Sequence, residues 1–377
     1  LLNPIYTEFP GGYNPDFGAD ISDIALVAGV RGEFGGSNTW DVRFRTASAE
    51  ADYTLSESIN PSLGRLSPTS FKPGKLTQEE SSFNADFVMP LEIGNFASPV
   101  NFAFGAEWRQ ETYKIKAGDA ASISAGPAFI FGVGSDGFQG FPTESAGSFD
   151  SDSIAAYVDF EVDFTDRFTG GVAFRFEDYD EFGSTFDWKL SGRVDITDRF
   201  ALRGTASTGF RAPTPGQINT LNTTTSADAS GNLIPSGTYP VNSIEAQVLG
   251  SSPLDPEESQ SFTIGAVWQA ADNVSVTLDY YDISIEDRLA LLGPNTVTQA
   301  QADAMEAQGV ANAQLLVGSL ASYFANAFDS DVNGIDIAVT ADWDVGPGTL
   351  LADLRHTWNE QEISNVTPNT INASRVC

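Results

Sequence analysis

The strongest structural signal in the chain lies in residues 151–211, DSDSIAAYVDFEVDFTDRFTGGVAFRFEDYDEFGSTFDWKLSGRVDITDRFALRGTASTGFR. Four segments of this stretch alternate apolar and polar residues, and very short connections join them. In the first segment, Val158 and Phe160 fall on one face, whereas Tyr157 and Asp159 fall on the other. Successive side chains of a β-strand point to opposite faces, so each segment is predicted to be a strand with one apolar and one charged face.

Similar segments along the rest of the chain bring the predicted total to about twelve strands. The predicted strands outside the opening stretch are residues 21–33, 39–50, 76–89, 100–116, 256–270, 273–287, 322–343 and 349–362. Most are longer than the five or six residues that are usual for a strand. Only residues 298–309, TQAQADAMEAQG, are predicted to be helical. With 35 Gly and 27 Phe, the composition is that of an all-β protein.

The chain has no run of about 18 uncharged apolar residues, so no transmembrane helix is predicted. A membrane protein is not excluded by this, because a strand spans lipid with only about ten alternating residues. The question for the fold is therefore whether the apolar faces of the strands meet a protein core or lipid.

The charge and the Cys and His content limit the possible functions. The formal net charge is −32, from 51 acidic and 19 basic residues, which makes nucleic-acid binding unfavourable. With one Cys, Cys377, and one His, His356, the chain can form neither an internal disulfide nor a Cys/His zinc cluster. Any metal site would need carboxylates. We expect no metal site, no cofactor and no catalytic residue.

The connections between the predicted strands alternate in length. The short ones lie near residues 35–38, 90–99, 165–167, 197–198, 271–272 and 344–348, and the long ones are 51–75, 117–150, 211–255 and 288–321. Residues 178–184 are the one short exception among the long connections. In an up-and-down antiparallel sheet, this alternation places short turns at one end and long loops at the other. Bacterial outer-membrane barrels have this asymmetry, with short periplasmic turns and long extracellular loops.

Aromatic residues on the apolar faces cluster beside the short turns: Trp40, Phe164, Phe168, Phe200, Trp268 and Trp343. At one height they would form the aromatic girdle that marks a membrane interface. A soluble β-sandwich would instead have Greek-key connections of mixed length. The sequence therefore predicts an antiparallel up-and-down transmembrane β-barrel, with the apolar faces on lipid and Tyr157, Asp159 and Glu161 in the lumen.

The long loop 117–150 contains the best candidates for ligand contact, Phe129, Phe131, Phe138 and Phe141. Aromatic side chains in long loops often bind ligands. The alternative is that these rings pack among themselves or on neighbouring loops. Arg211 is a further candidate, and its alternative role is to pair with an acidic loop residue near the outer rim.

Several segments resemble one family in the order in which they occur. RFALRGTASTGFRAPTPG, residues 199–216, is similar to a barrel strand of TonB-dependent outer-membrane receptors, which ends in a GFRAP-like segment, here Gly209–Phe210–Arg211–Ala212–Pro213. AAYVDFEVDFTDRFTGGVAFRFEDYDEFGSTFDWKLSGRVDITD resembles the central hairpins of that family. LDPEESQSFTIGAVWQAADNVSVTLDYYDISIEDRL and NGIDIAVTADW resemble its later strands. The resemblance covers nearly the whole chain.

This resemblance implies a 22-stranded barrel around an N-terminal plug domain. The present chain, residues 1–377, is expected to be an internal fragment of that barrel. The resemblance also implies active import of a scarce ligand of the siderophore, vitamin or oligosaccharide type across the outer membrane of a Gram-negative bacterium. The implied partners are TonB with its inner-membrane energising complex, the lipid and the ligand. The alternatives are a passive porin-like channel and a soluble secreted β-sandwich or adhesin.

Overall fold

The computed structural model describes residues 8–129, 132–227 and 233–367 and forms one large β-sheet. Its strands are β1 Asp16–Phe34, β2 Asn38–Ser56, β3 Phe71–Leu91, β4 Val100–Lys116, β5 Gly147–Thr165, β6 Phe168–Tyr179, β7 Gly183–Thr197, β8 Phe200–Arg211, β9 Asn222–Ala227, β10 Leu233–Thr238, β11 Glu257–Ala271, β12 Val274–Thr296, β13 Leu320–Val345 and β14 Gly348–Ser364. The α-helices are α1 Ala120–Ile123, α2 Pro215–Asn219, α3 Ile244–Leu249 and α4 Gln299–Ala307, and 3-10 turns occupy Pro61–Leu66, Thr143–Ser145 and Ala313–Leu316. None of the helices in the described ranges is long and apolar enough to cross a membrane.

Twelve long strands form the wall of the sheet, and they follow one another in chain order. Each pairs antiparallel with its neighbour, from β1 through β8 and then β11 through β14. The hairpin β9–β10 arises from the β8–β11 connection, and β10 pairs parallel with the start of β13. Within the described residues, β1 pairs only with β2, and β14 pairs only with β13. This order confirms the predicted up-and-down wall and rules out a Greek-key sandwich.

The strand register keeps apolar side chains together on one face of the wall. Phe102 on β4 lies opposite Phe160 on β5, and their rings stack with centroids 4.7 Å apart. Phe160 in turn lies opposite Val172 on β6, which lies opposite Leu190 on β7. Residues directly opposite in a sheet share a face, so this row runs across four strands. Leu190 is 56% exposed, and the described strands all belong to one sheet, so no second sheet of described residues covers this face.

Several strands extend further than the alternation predicts. β12 continues to Thr296 and β13 begins at Leu320, so the predicted loop 288–321 is reduced to residues 297–319. The pairing of β12 with β13 is regular up to Ile285, and its register shifts between Ile285 and Arg288. Backbone pairing continues beyond the apolar zone, where the side chains no longer need to alternate.

The predicted loop 51–75 is also shorter in the structure, because β2 continues to Ser56 and β3 starts at Phe71. Pro73 and Gly74 therefore lie in a strand, whereas the sequence predicts a connection. Gly74 pairs with Tyr53 beside a register shift and has a φ of +127°. A proline is tolerated at such an irregular strand end.

The long connections fold into two compact caps at one end of the wall. In the first cap, the fully buried Asn60 donates hydrogen bonds through Nδ2 to the carbonyl oxygens of Ala121 (2.7 Å) and Ser124 (2.9 Å). The second cap is an apolar core in which Tyr239, Leu292, Val297 and Met305 meet. The predicted helix is confirmed as α4, and Thr298 and Gln301 form the capping box at its start. The buried apolar core therefore lies at the loop end, between α4 and the extended ends of β12 and β13.

Candidate functional site

The polar face of the wall carries a network of charged side chains. Tyr157 on β5 donates a hydrogen bond to Asp86 on β3 at 2.8 Å, and Arg43 on β2 pairs with the same carboxylate at 3.2 Å. The tyrosine passes over Gly105 on the intervening β4, where an added Cβ would lie 2.5 Å from the ring. A glycine at this position thus allows a contact between strands that are not neighbours.

A second group of charges lies one step nearer the loop end. Glu107 accepts a hydrogen bond from Arg109 at 2.8 Å and lies 3.6 Å from the guanidinium of Arg175. Arg175 also pairs with the nearly buried Glu177, which accepts a hydrogen bond from Tyr179 at 3.1 Å. Such a polar, largely paired lining suits a water-filled lumen rather than a packed core.

A cavity of about 290 Å³ lies above this network, at the loop end of the polar face. Arg109 and Tyr179 line it from the wall, and Arg211, Pro213 and Thr214 line it from the end of β8. The GFRAP segment therefore contributes directly to the cavity. Two arginines, two aromatic rings and several hydroxyls point to a polar ligand.

Arg211 is held by a bidentate ion pair with Glu257 at the start of β11. Its Nε donates to Oε2 at 2.9 Å and its Nη2 donates to Oε1 at 2.5 Å. The carboxylate of Glu257 is nearly buried and also accepts a hydrogen bond from the backbone N–H of Leu289 at 2.7 Å. Because the Arg211 side chain is 55% exposed, the pair still presents a cationic edge to the cavity.

Two of the four candidate phenylalanines lie together in the first cap. Phe138 stacks on Phe17 with centroids 4.4 Å apart, and Phe141 lies edge-on to Tyr53 at 5.9 Å. Phe141 is only 4% exposed, so its ring is packed among loop and strand residues. Phe129 is half exposed and remains accessible. Phe131 lies outside the described residues.

Several residues of this end were not predicted from the sequence. Tyr53 and Phe17 join the aromatic cluster, and Tyr179 and Arg109 line the cavity. Arg109 on β4 and Tyr179 on β6 could have been found from the sequence, because both fall on the polar face of their strand, towards its loop end. Tyr13 could not be found in this way, because it precedes β1 and reaches Asp136 across the first cap at 2.5 Å. Burial and this hydrogen bond raise the pKa of Tyr13 well above its usual value.

The six aromatic residues predicted to form a girdle all lie within three residues of a short-turn strand end: Trp40, Phe164, Phe168, Phe200, Trp268 and Trp343. Phe164 and Phe168 stack across their turn with centroids 5.1 Å apart, and Trp268 lies opposite Phe200.

Among the described residues, no group of three or more His, Cys, Asp or Glu side chains is arranged to hold a metal ion. The loop end with its cavity is therefore the candidate functional site.

The family "TonB dependent receptor-like, beta-barrel" matches residues 2–375. The chain belongs to this family. TonB-dependent receptors are outer-membrane proteins of Gram-negative bacteria, and the family consists of receptors and transporters rather than enzymes. No curated protein matches the chain in sequence.

Several solved receptors and a solved importer share the fold at low sequence identity. The siderophore receptor PirA from Acinetobacter baumannii is 16% identical, with a TM-score of 0.55, 89% of this chain covered and 44% of that chain covered. A double mutant of the ferric enterobactin receptor PfeA from Pseudomonas aeruginosa is 12% identical, with a TM-score of 0.59 and coverages of 89% and 43%. The RagAB peptide importer is 12% identical, with a TM-score of 0.58 and coverages of 93% and 37%. The chain thus spans less than half the length of these three structures, and the wall is part of a TonB-dependent receptor barrel.

Proposed function

We propose that the chain forms part of an outer-membrane receptor of a Gram-negative bacterium that imports a scarce ligand with energy supplied through TonB. The family match over residues 2–375 is the observation that carries this proposal. Two of the similar structures are siderophore receptors and one is a peptide importer. We propose a ligand of the siderophore, vitamin or oligosaccharide type.

The loop end of the wall supports ligand entry from that side. The cavity lined by Arg109, Tyr179 and Arg211 lies at this end of the polar face. Arg211 contributes to ligand contact in this proposal, as do Phe129, Phe131, Phe138 and Phe141. The packed rings of Phe138 and Phe141 would act by shaping the first cap, and the exposed ring of Phe129 would touch the ligand.

The rest of the proposed machinery lies in other parts of the receptor. A 22-stranded barrel would need further strands beside β1 and β14, whose outer edges have no partner among the described residues. Each exposed backbone edge must be paired within lipid, which supports closure by such strands. The proposed partners are a plug domain, TonB with its inner-membrane energising complex, and lipid on the apolar face.

Transport can be tested by comparing growth and uptake in three strains of the native host. The wild type, a deletion of the receptor gene and a deletion of tonB are grown with limiting iron, limiting cobalamin or an oligosaccharide as the carbon source. We expect one condition in which both deletions abolish uptake. Uptake that needs the receptor but survives loss of TonB would instead establish a passive channel, for which the polar-faced wall is also suited.

A further inference from the structure

The wall forks at its loop end between β7 and β8. These strands pair from Thr197 and Phe200 at the turn up to Lys189 and Ser207. Beyond that point, residues 183–188 pair only with β6, and residues 208–211 pair only with β11. At no other junction at the loop end of the described wall do both strands continue for four or more unpaired residues.

Side chains hold the base of the fork. The backbone N–H of Trp188 donates to Oγ1 of Thr208 at 3.1 Å, and the same hydroxyl donates to Oδ1 of Asp187 at 2.8 Å. The Thr208 hydroxyl thus accepts the hydrogen bond that a backbone carbonyl oxygen of the neighbouring strand would accept in a regular sheet. Because the backbone groups above it face each other without ladder bonds, they are available to a polar ligand.

The fork encloses a cavity of about 240 Å³. Thr185 and Asp187 line one side, and Glu258, Gln260 and Glu286 line the other. The hydroxyl oxygen of Thr185 is buried and has no hydrogen-bond partner among the described residues. A buried polar atom without a partner is costly, so a ligand that bonds to it gains affinity.

Phe210 separates this cavity from the one in the lumen. Its side chain lines both cavities, and its ring meets Tyr179 edge-on at 5.8 Å. Phe186, on the apolar face beside the fork, is 61% exposed. The fork therefore lies at the boundary between the apolar face and polar surroundings, and the ring of Phe210 lies between the fork and the lumen cavity.

The lining determines the class of ligand. Because it includes three carboxylates and no Lys or Arg, it disfavours phosphates and carboxylates. The carboxylates do not form a metal site in the described part of the chain. Hydroxyl and amide groups both donate and accept, and carboxylates accept strongly, which matches a molecule with many hydroxyl groups.

We propose that the β7–β8 fork binds a neutral, hydroxyl-rich ligand, namely a segment of a saccharide. The apolar face of a sugar ring would lie on Phe210, and its hydroxyl groups would meet Thr185, Asp187 and Gln260. This site is additional to the lumen cavity of the proposed function. The saccharide would come either from a free oligosaccharide or from the carbohydrate of an outer-leaflet glycolipid.

Binding is measured on the full-length receptor by isothermal titration calorimetry, in detergent and in glycolipid nanodiscs. The probes in detergent are neutral trisaccharides of glucose, mannose, galactose and xylose. Thr185→Val should weaken binding about tenfold, the effect of one lost hydrogen bond to a buried group, and Gln260→Leu should weaken it by a smaller factor because Gln260 is exposed. Thr185→Val should leave folding intact because its hydroxyl has no partner to lose. The matched control is Thr277→Val, another partly buried polar-face threonine that lines neither cavity.

Binding of a free trisaccharide identifies the soluble source, and glycolipid binding only in nanodiscs identifies the membrane source. Either result supports the fork site if the two fork variants weaken it and the control does not. The proposal is overturned if no probe binds, if the control weakens binding equally, or if hexalysine binds and responds to the same variants. The assay needs no TonB, so a failure of the transport proposal leaves its outcome unchanged.

Discussion

Arg211 at the end of β8 and Glu257 at the start of β11 form a two-pronged ion pair at the loop end of the wall, with N–O distances of 2.9 and 2.5 Å. Glu257 is only 6% exposed, and its carboxylate also accepts the backbone N–H of Leu289 on β12. One carboxylate therefore joins three successive strands. On the opposite side of β8, the wall opens into the fork. Within the described residues, β11 is therefore the only strand that pairs with this end of β8, and the ion pair lies on that edge.

Replacement of Arg211 by alanine would leave the buried Glu257 carboxylate without its charged partner. We expect a loss of about 1–3 kcal/mol in the free energy of unfolding, less than for a fully buried pair because Arg211 is half exposed. Urea unfolding of the receptor in detergent would measure it. Arg355→Ala is the control. Arg355 forms an exposed ion pair with Asp353, its neighbour on β14, so this substitution should change the free energy of unfolding by less than about 0.5 kcal/mol. Equal effects of both substitutions would show that the pair does not hold the strand end.

The assignment of the two wall faces can be tested with neighbouring residues on β5. Phe160 points to the apolar face and stacks on Phe102, whereas Glu161 points to the polar face. Phe160→Arg should cost about 2–4 kcal/mol if this position lies near the middle of the bilayer. Glu161→Arg should be nearly silent for assembly. Refolding into lipid vesicles, followed by the heat-dependent shift in gel mobility, measures both. Similar yields of the two variants would contradict the assignment.

The predicted aromatic girdle can be located by fluorescence. In receptors that keep only Trp268 or only Trp343, lipids brominated near the headgroup should quench the tryptophan more than lipids brominated deep in the chain. The reason is that both rings lie on the apolar face within three residues of a short-turn strand end. Phe160→Trp in a background without other tryptophans is the control and should show the opposite order. Stronger quenching of Trp268 and Trp343 by the deep bromines would remove them from the interface.

The wall could be predicted from the sequence because one face of every strand meets lipid and the other meets water. Apolar and polar residues therefore alternate with a period of two along each strand. The rows that include Phe160 and Val172 follow directly from that alternation. The ends of the strands could not be predicted equally well. β12 continues to Thr296 through pairing with β13, and backbone hydrogen bonds carry no side-chain pattern outside the apolar zone.

The candidate site was harder to predict because its contacts join distant parts of the chain. Phe138 meets Phe17, and the hairpin β9–β10 lies within the predicted loop 211–255, where Ser and Thr residues give no apolar alternation. The fork has no local signal either, since residues 183–188 alternate as a paired strand does. Only the register of β7 and β8 shows that their pairing stops.

The second cap should loosen in alkali because its core contains Tyr239. Burial, and then the charge of Glu245, raises the pKa of this phenol from 10.0 to about 12. The neutral form is therefore favoured in the folded cap, and its stabilising contribution is complete below pH 10. This stabilising contribution is lost as the pH rises from 10 through 12, and its full size is on the order of 2 kcal/mol. Hydrogen exchange of α4, which packs in the same core through Met305, would follow the loss. Tyr239→Phe keeps the ring and removes the ionisable group, so its α4 should stay protected up to a higher pH. If α4 loses protection at the same pH in both proteins, Tyr239 is not the group responsible.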